Sequence, residues 1–196
     1  MASKAPYVVA VIGSPHRKGT CDALCEQVLA GAAKSGATVE KFYLQELEIH
    51  PCDACETCHA KGSGSQCMIA DDMMPLYPKL KECDVLVIAS PIFFFSLSAQ
   101  TKLFLDRLYP FVTENGMRMK MKHLVACLSY GASDPLESGV VNAVGMLRDF
   151  CLFSKRAFSC VHVSSARPAD LRKNSPAMQN AHILGKRIGK TPGGAE

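Results

Sequence analysis

The chain has 196 residues, 48% of them hydrophobic and 20% charged, with a formal net charge of +4. That length suits a single domain, here expected over residues 1–196, with a core that needs no staples. The charge is too small and too dispersed for a nucleic-acid partner, and no apolar run is long enough for a membrane span. The opening MASKAPYVVAVIGSPH has no small-residue cleavage site, so a cytoplasmic protein with mostly reduced cysteines is expected.

The first strand is expected at Tyr7 to Gly13 (YVVAVIG), a continuously apolar run. The loop GSPHRKGT follows and opens into a helix over Thr20 to Ser35, with Thr20 placed for an N-cap and Gly36 for a stop. Gly13 and Gly19 allow tight turning. Ser14 and Thr20 offer hydroxyls, and Arg17 and Lys18 offer positive charge. At a helix N-terminus these groups suit a phosphate. The loop is neither a Walker loop nor a G-x-G-x-x-G fingerprint, and a plain strand–helix turn is the alternative.

A second strand is expected at Thr38 to Leu44, then a cysteine-rich insertion over about residues 50–70, PCDACETCHAKGSGSQC. Cys52, Cys55 and Cys58 are spaced by two residues and Cys67 follows after eight more. C-x2-C-x2-C with a distant fourth cysteine is a ferredoxin-like spacing for one cubane cluster, whereas zinc sites more often pair two separate clips. Free or redox-active thiols, zinc and packing stay open, and the cytoplasmic reading disfavours a disulfide framework. Asp71 and Asp72 are expected to start the next helix.

The third strand, Val85 to Ser90, is again continuously apolar and leads into SPIFFFSLS. Pro91 turns the chain out of the sheet. Phe93, Phe94 and Phe95 then occupy a loop, where they either pack on a planar ligand or a partner chain or fill core beneath it. A helix is expected from Ser98, with Phe104, Leu108 and Phe111 on one face. The fourth strand, His123 to Ser129, leads into SYG, where Ser129 and Gly131 bring backbone close to a ligand and Tyr130 can stack on a ring. A helix over Glu137 to Leu152, a strand over Arg156 to Val163, a helix over Ser175 to Gly189 and a frayed tail over 190–196 complete the pattern. The six remaining cysteines fall in or beside these elements as small buried hydrophobes; Cys21 alone, at a helix start, has a position suited to a lowered pKa.

Alternating strands and helices specify a doubly wound α/β sheet. Right-handed crossovers gather the strand carboxyl ends on one edge, where ligands bind at the switch of strand order. The three loops just described lie on that edge.

In order, GSPHRKGT, the cysteine run with its following DDM, SPIFFFSLSAQTKLFLDRL and SYG resemble the NAD(P)H-dependent FMN reductases. More closely, they resemble the iron–sulfur flavoprotein branch of the flavodoxin-like superfamily, over roughly residues 5–190. The resemblance implies a three-layer α/β flavodoxin-like fold with a five-stranded parallel sheet in the order 2-1-3-4-5. It implies FMN held without a covalent bond: its phosphate by Ser14, Arg17, Lys18 and Thr20, its ring against Pro91, Ile92, Phe93 and Phe94 and against Ser129, Tyr130 and Gly131. It implies Cys52, Cys55, Cys58 and Cys67 as [4Fe-4S] ligands, NAD(P)H as co-substrate, and a homodimer or homotetramer. Electrons would pass to a small-molecule acceptor, or arrive from a ferredoxin-like protein, and no side chain is assigned as catalytic because the flavin carries the chemistry. Two other readings remain: an electron-transfer module fed by a protein donor, and a cysteine-based zinc or redox sensor. Phe93 and Phe94 depart from the Tyr and polar residue often found in relatives, and His16 is an additional basic residue in the phosphate loop.

Overall fold

The structure, a computed structural model, describes residues 4–64, 66–165 and 175–190. The first half of the chain forms β1 (Tyr7–Ile12), α1 (Thr20–Lys34), β2 (Thr38–Tyr43), α2 (Leu76–Glu82), β3 (Val85–Phe93), β4 (Ser96–Leu97) and α3 (Ala99–Asp106). The second half forms β5 (Val112–Thr113), β6 (Gly116–Met117), β7 (His123–Tyr130), α4 (Val140–Ser154), β8 (Ala157–Ser164) and α5 (Pro176–Ile188). The long strands make a parallel sheet in the order β2-β1-β3-β7-β8, to which β4 adds an antiparallel hairpin on the end of β3. Counting only the parallel strands, this is the 2-1-3-4-5 order of the flavodoxin-like fold. The order reverses between β1 and β3, so the loops after these two strands flank the switch point.

Alternation along the strands divides the core into two layers. Val8, Ala10 and Ile12 pack with Val85, Val87 and Ala89 beneath α1 and α5. Val9, Val11, Leu86 and Ile88 face the other layer with α2, α3 and α4. All of these are fully buried, which is why β1 and β3 read as unbroken apolar runs. On the first face α1 and α5 approach at two glycines: a Cβ on Gly31 would lie 2.2 Å from the His182 carbonyl, and one on Gly185 2.0 Å from that of Val28.

Several local expectations are corrected. β3 does not end at Ser90 but runs to Phe93, because Ile92 and Phe93 pair with Leu97 and Ser96. Pro91 is tolerated in a central strand because β1 has already stopped: its last link is the Gly13 N–H to the Ala89 carbonyl at 2.7 Å. Two residues further on, the side that lacks a donor faces no partner. Phe94 and Phe95 therefore form the turn of a hairpin, both with positive φ (49° and 67°). Thr20 is the first helical residue of α1 rather than its cap; Gly19 takes the cap position and supplies no side-chain hydrogen bond. Asp71 and Asp72 do not open α2, which starts at Leu76. Their carboxylates instead accept the His50 and Glu48 N–H groups at 2.9 and 2.7 Å. α4 starts at Val140, three residues later than expected, after Gly139 in the left-handed region. The tail beyond residue 190 lies outside the described residues. No helix among those described is long and apolar enough to cross a membrane.

Candidate functional site

The loop after β1 is pinned from below. The Ser98 hydroxyl donates to the Gly13 carbonyl at 2.8 Å, and a side chain on Gly13 would collide with Thr101 Oγ1 at 1.8 Å. Ser98 also caps α3 by accepting the Thr101 N–H, so the first and third loops are locked together. Ser14 is buried, its Oγ accepting the His16 N–H at 3.2 Å. Lys18 adopts a positive φ of 58°, and its N–H donates to Asp22 Oδ2 at 2.9 Å. Asp22 is itself buried and also accepts from Lys41 Nζ and the Tyr43 hydroxyl, each at 3.0 Å. Burial opposes its ionisation, but the hydrogen bonds from Lys41, the Lys18 N–H and Tyr43 outweigh that and hold it below the ordinary carboxylate value. The two cations separate. Arg17 pairs with Glu46 and lies 4.3 Å over the Tyr43 ring, whereas the exposed Lys18 ammonium makes no ion pair among the described residues. Since Gly19 offers no cap, the first N–H groups of α1 open onto this loop.

The other two loops meet this one at the same edge. Pro91 and Ile92 are buried at the end of β3, while Phe93, Phe94 and Phe95 are 48, 95 and 58% exposed. The reading in which these rings fill core is thereby excluded. The hairpin is held from behind by Gly139, where a Cβ would lie 2.5 Å from Phe95 Cα, and by the Asn142 amide donating to the Phe95 carbonyl at 3.0 Å. Ser129 is buried at the carboxyl end of β7, near Cys21 in the first turn of α1. Tyr130 belongs to the strand, paired with Ser164 and buried, its ring 5.8 Å from that of His162. Its ring is thus part of the core rather than a free stacking surface. Gly131 borders open space, with nothing within 4 Å of where a Cβ would stand.

The cysteine run forms a separate site. Cys52 and Cys55 are exposed, Cys58 buried and Cys67 half-buried, and all four line one narrow cleft with Asp53, Arg107 and Tyr109. Ala54 and Glu56 both take positive φ, 55° and 58°, winding the chain between the cysteines. Burial pushes the Cys58 thiol up, and Cys67 and Cys55 are near enough to add to that. The loop rests on the segment that follows α3. Tyr109 donates to the Glu56 carboxylate at 3.1 Å and its ring meets His59 edge-on at 4.6 Å. Arg107, 1% exposed, pairs with the equally buried Asp71 and donates to the His50 carbonyl at 2.7 Å and to Cys67 Sγ at 3.5 Å. Its Nε is buried without a partner. Burial works against the Asp71 charge as well, but Arg107 and the His50 and Met73 N–H groups hold its carboxyl below the ordinary value.

Sequence reasoning placed no role on Arg107, Tyr109 or Asp22. Arg107 had a legible signal: with Phe104, Leu108 and Phe111 it falls at i+3 on the buried stripe, where a charge needs a reason. The remaining cysteines divide as expected. Cys21, Cys25, Cys83, Cys127 and Cys151 are buried and Cys160 partly so. Burial pushes Cys83, Cys151 and Cys160 up to about 12, and Cys21 moves up as well, as a packed thiol does.

A profile of the NADPH-dependent FMN reductases matches residues 6–182. The chain belongs to this family. Within it, an iron-sulfur flavoprotein of Methanocaldococcus jannaschii is 30% identical over 186 residues, 95% of this chain and 84% of that one. An iron-sulfur flavoprotein of Archaeoglobus fulgidus is 33% identical over 132 residues, 67% of this chain but only 54% of that relative's length. Among solved structures, an NAD(P)H:quinone oxidoreductase from Methanothermobacter marburgensis aligns with a TM-score of 0.71 over 95% of this chain and 98% of that one. At 18% identity it is a likeness of fold.

As a member of the FMN reductase family the chain is a flavin-dependent oxidoreductase, and its carboxyl edge suits FMN. The uncapped α1, the Ser14 hydroxyl and Lys18 suit a phosphate, and the open space at Gly131 beside the exposed phenylalanines suits a flat ring. For the cysteines the fit is chemical: four thiols on one cleft and an unpartnered buried N–H of a guanidinium suit an anionic metal–sulfur group. The cleft as it stands has room for about one water. Among the described residues no three His, Cys, Asp or Glu side chains converge as metal ligands, so the exposed cysteines would have to draw in around a cluster.

Proposed function

We propose that this protein is an iron–sulfur flavoprotein-type oxidoreductase, holding FMN at the carboxyl edge and a [4Fe-4S] cluster on Cys52, Cys55, Cys58 and Cys67. The observation that carries the cluster is that all four cysteines line one cleft against a buried arginine. The two iron-sulfur flavoprotein relatives add support. Bound FMN supplies hydride acceptance from NAD(P)H and onward electron transfer, and the cluster supplies one-electron relay. Ser14, Lys18, Thr20 and the first N–H groups of α1 hold the phosphate. Arg17, tied to Glu46 and stacked on Tyr43, borders the loop rather than reaching in. Pro91, Ile92, Phe93 and Phe94 form one wall for the ring. Ser129 and the backbone of Tyr130 and Gly131 form the other. The exposed phenylalanines also offer an apolar face to a second copy in a homodimer or homotetramer. The electron acceptor is a small molecule, and a reduced ferredoxin-like protein is an alternative donor to NAD(P)H.

The test is an anaerobic absorption spectrum with flavin, iron, acid-labile sulfide and zinc measured on one sample. Flavin bands with a broad shoulder and about four irons per chain are expected. Flavin without iron leaves an FMN reductase with free thiols and removes the cluster. Zinc without flavin removes the enzyme reading in favour of a sensor. For the phosphate assignment, the double variant Ser14→Val with Lys18→Glu is expected to lose flavin while keeping its far-ultraviolet circular dichroism; full retention of flavin overturns it.

A further inference from the structure

A buried arginine offers five N–H donors in a rigid fork and accepts nothing. Asp71 takes two of the Arg107 donors and neutralises its charge, and the His50 carbonyl takes another. The ion pair alone is thus complete without the sulfur. Yet the fork is turned so that NH2 also meets Cys67 Sγ, and Nε stays buried and unpartnered beside the same cleft. A neutral thiol is a weak acceptor, whereas a metal-bound thiolate makes a charge-assisted hydrogen bond about twice as strong as a neutral one. The arrangement is therefore prepared for Cys67 as a thiolate. Cys67 is the distant fourth cysteine, and the eight residues that precede it after Cys58 give it the least local definition of the four.

We propose that Arg107 is a positioning residue for the cluster, seating Cys67 as the fourth ligand and raising the cluster's reduction potential through its N–H to that sulfur. The inference rests on the cluster reading above. Hydrogen bonds to ligand sulfurs stabilise the more negative, reduced form and so move the potential upward. Asp71 is a positioning residue one step behind, orienting the guanidinium and, through the His50 N–H, the strand of chain that enters the cysteine loop. The loops proposed to hold the flavin lie past the other end of α3, eight residues or about 12 Å of helix away, so the contact would act on the cluster rather than on a flavin bound there.

The experiment is a redox titration of the anaerobically reconstituted full chain, following the cluster by electron paramagnetic resonance and the flavin by absorbance. The variant is Arg107→Lys, which keeps a charge opposite Asp71 but cannot span both Asp71 and the sulfur. Its cluster midpoint is expected to fall so that, poised at the wild-type midpoint, the reduced-to-oxidised ratio drops about tenfold, or about 59 mV for one electron. The flavin midpoint is expected to stay in place. Where the lysine variant does not fold, the double exchange Arg107→Gln with Asp71→Asn replaces the ion pair by two amides, and the same fall is expected. Iron and sulfide in the wild type with an unmoved cluster midpoint in the variant overturn the role of Arg107 alone. Absence of iron and sulfide from the wild type overturns the cluster reading and this inference together.

Discussion

Asp22 shows how one side chain shapes a loop it does not belong to. Its carboxylate gathers the Lys18 N–H, Lys41 and Tyr43, and so sets the left-handed turn at Lys18 from which the loop after β1 enters α1. Because its folded pKa is depressed, its contribution to stability is present above the ordinary carboxylate value and lost as pH falls through the lower, folded one. Asp22→Asn is expected to cost about 1–3 kcal/mol at neutral pH. The gap to the wild type should narrow as acid unfolding is followed below about pH 4; a gap independent of pH would contradict the ionised role. At this scale the sequence was only partly legible. Ser14 and the cysteines declare themselves by type and position. Asp22, Asp71 and Arg107 do not, because their charged or carbonyl partners Lys41, Arg107 and His50 are 19, 36 and 57 residues away in the chain, and no local pattern encodes such pairings.

The hairpin of β3 and β4 carries the clearest local contradiction. A two-residue turn with positive φ at both positions favours Asn-Gly, yet Phe94 and Phe95 occupy it. Each non-glycine residue in that region costs about 1–2 kcal/mol, and the rings regain little of it by burial, since Phe94 is 95% and Phe95 58% exposed. Replacing the pair by Phe94→Asn and Phe95→Gly is expected to stabilise the apoprotein by about 1–3 kcal/mol in urea unfolding while weakening flavin retention. Unchanged flavin retention would make the hairpin a surface turn only. The phenylalanine run was visible in the sequence, but not the hairpin, because a strand that includes Pro91 breaks the usual rule. It survives only where the neighbouring strand has ended. Asp71 and Asp72 misled for a related reason: acidic residues that suit a helix start serve equally to bind the N–H groups of an irregular segment, and the long-range pairing with Arg107 decided between them.

At the scale of the molecule the sequence was most legible. Five strands with helices between them allow few topologies once crossovers are right-handed, and β2-β1-β3-β7-β8 is the one observed. What it concealed is how tightly the outer helices meet. Gly31→Ala should stabilise α1 by about 1 kcal/mol on propensity alone, but the new methyl would stand 2.2 Å from the His182 carbonyl. Overpacking of about 1–3 kcal/mol is expected to win, giving a net fall in thermal midpoint; a rise would show that α5 yields easily. The ten cysteines carry a practical corollary. Cys52 and Cys55 stand at the surface, whereas Cys21, Cys25, Cys83, Cys127 and Cys151 are sealed beneath helices and sheet. In the metal-free protein a maleimide added to the native chain therefore counts the rim of the molecule, and the same reagent after denaturation counts the whole. The difference between those two tallies is a direct gauge of how much of a preparation is folded, one that needs neither cofactor nor substrate.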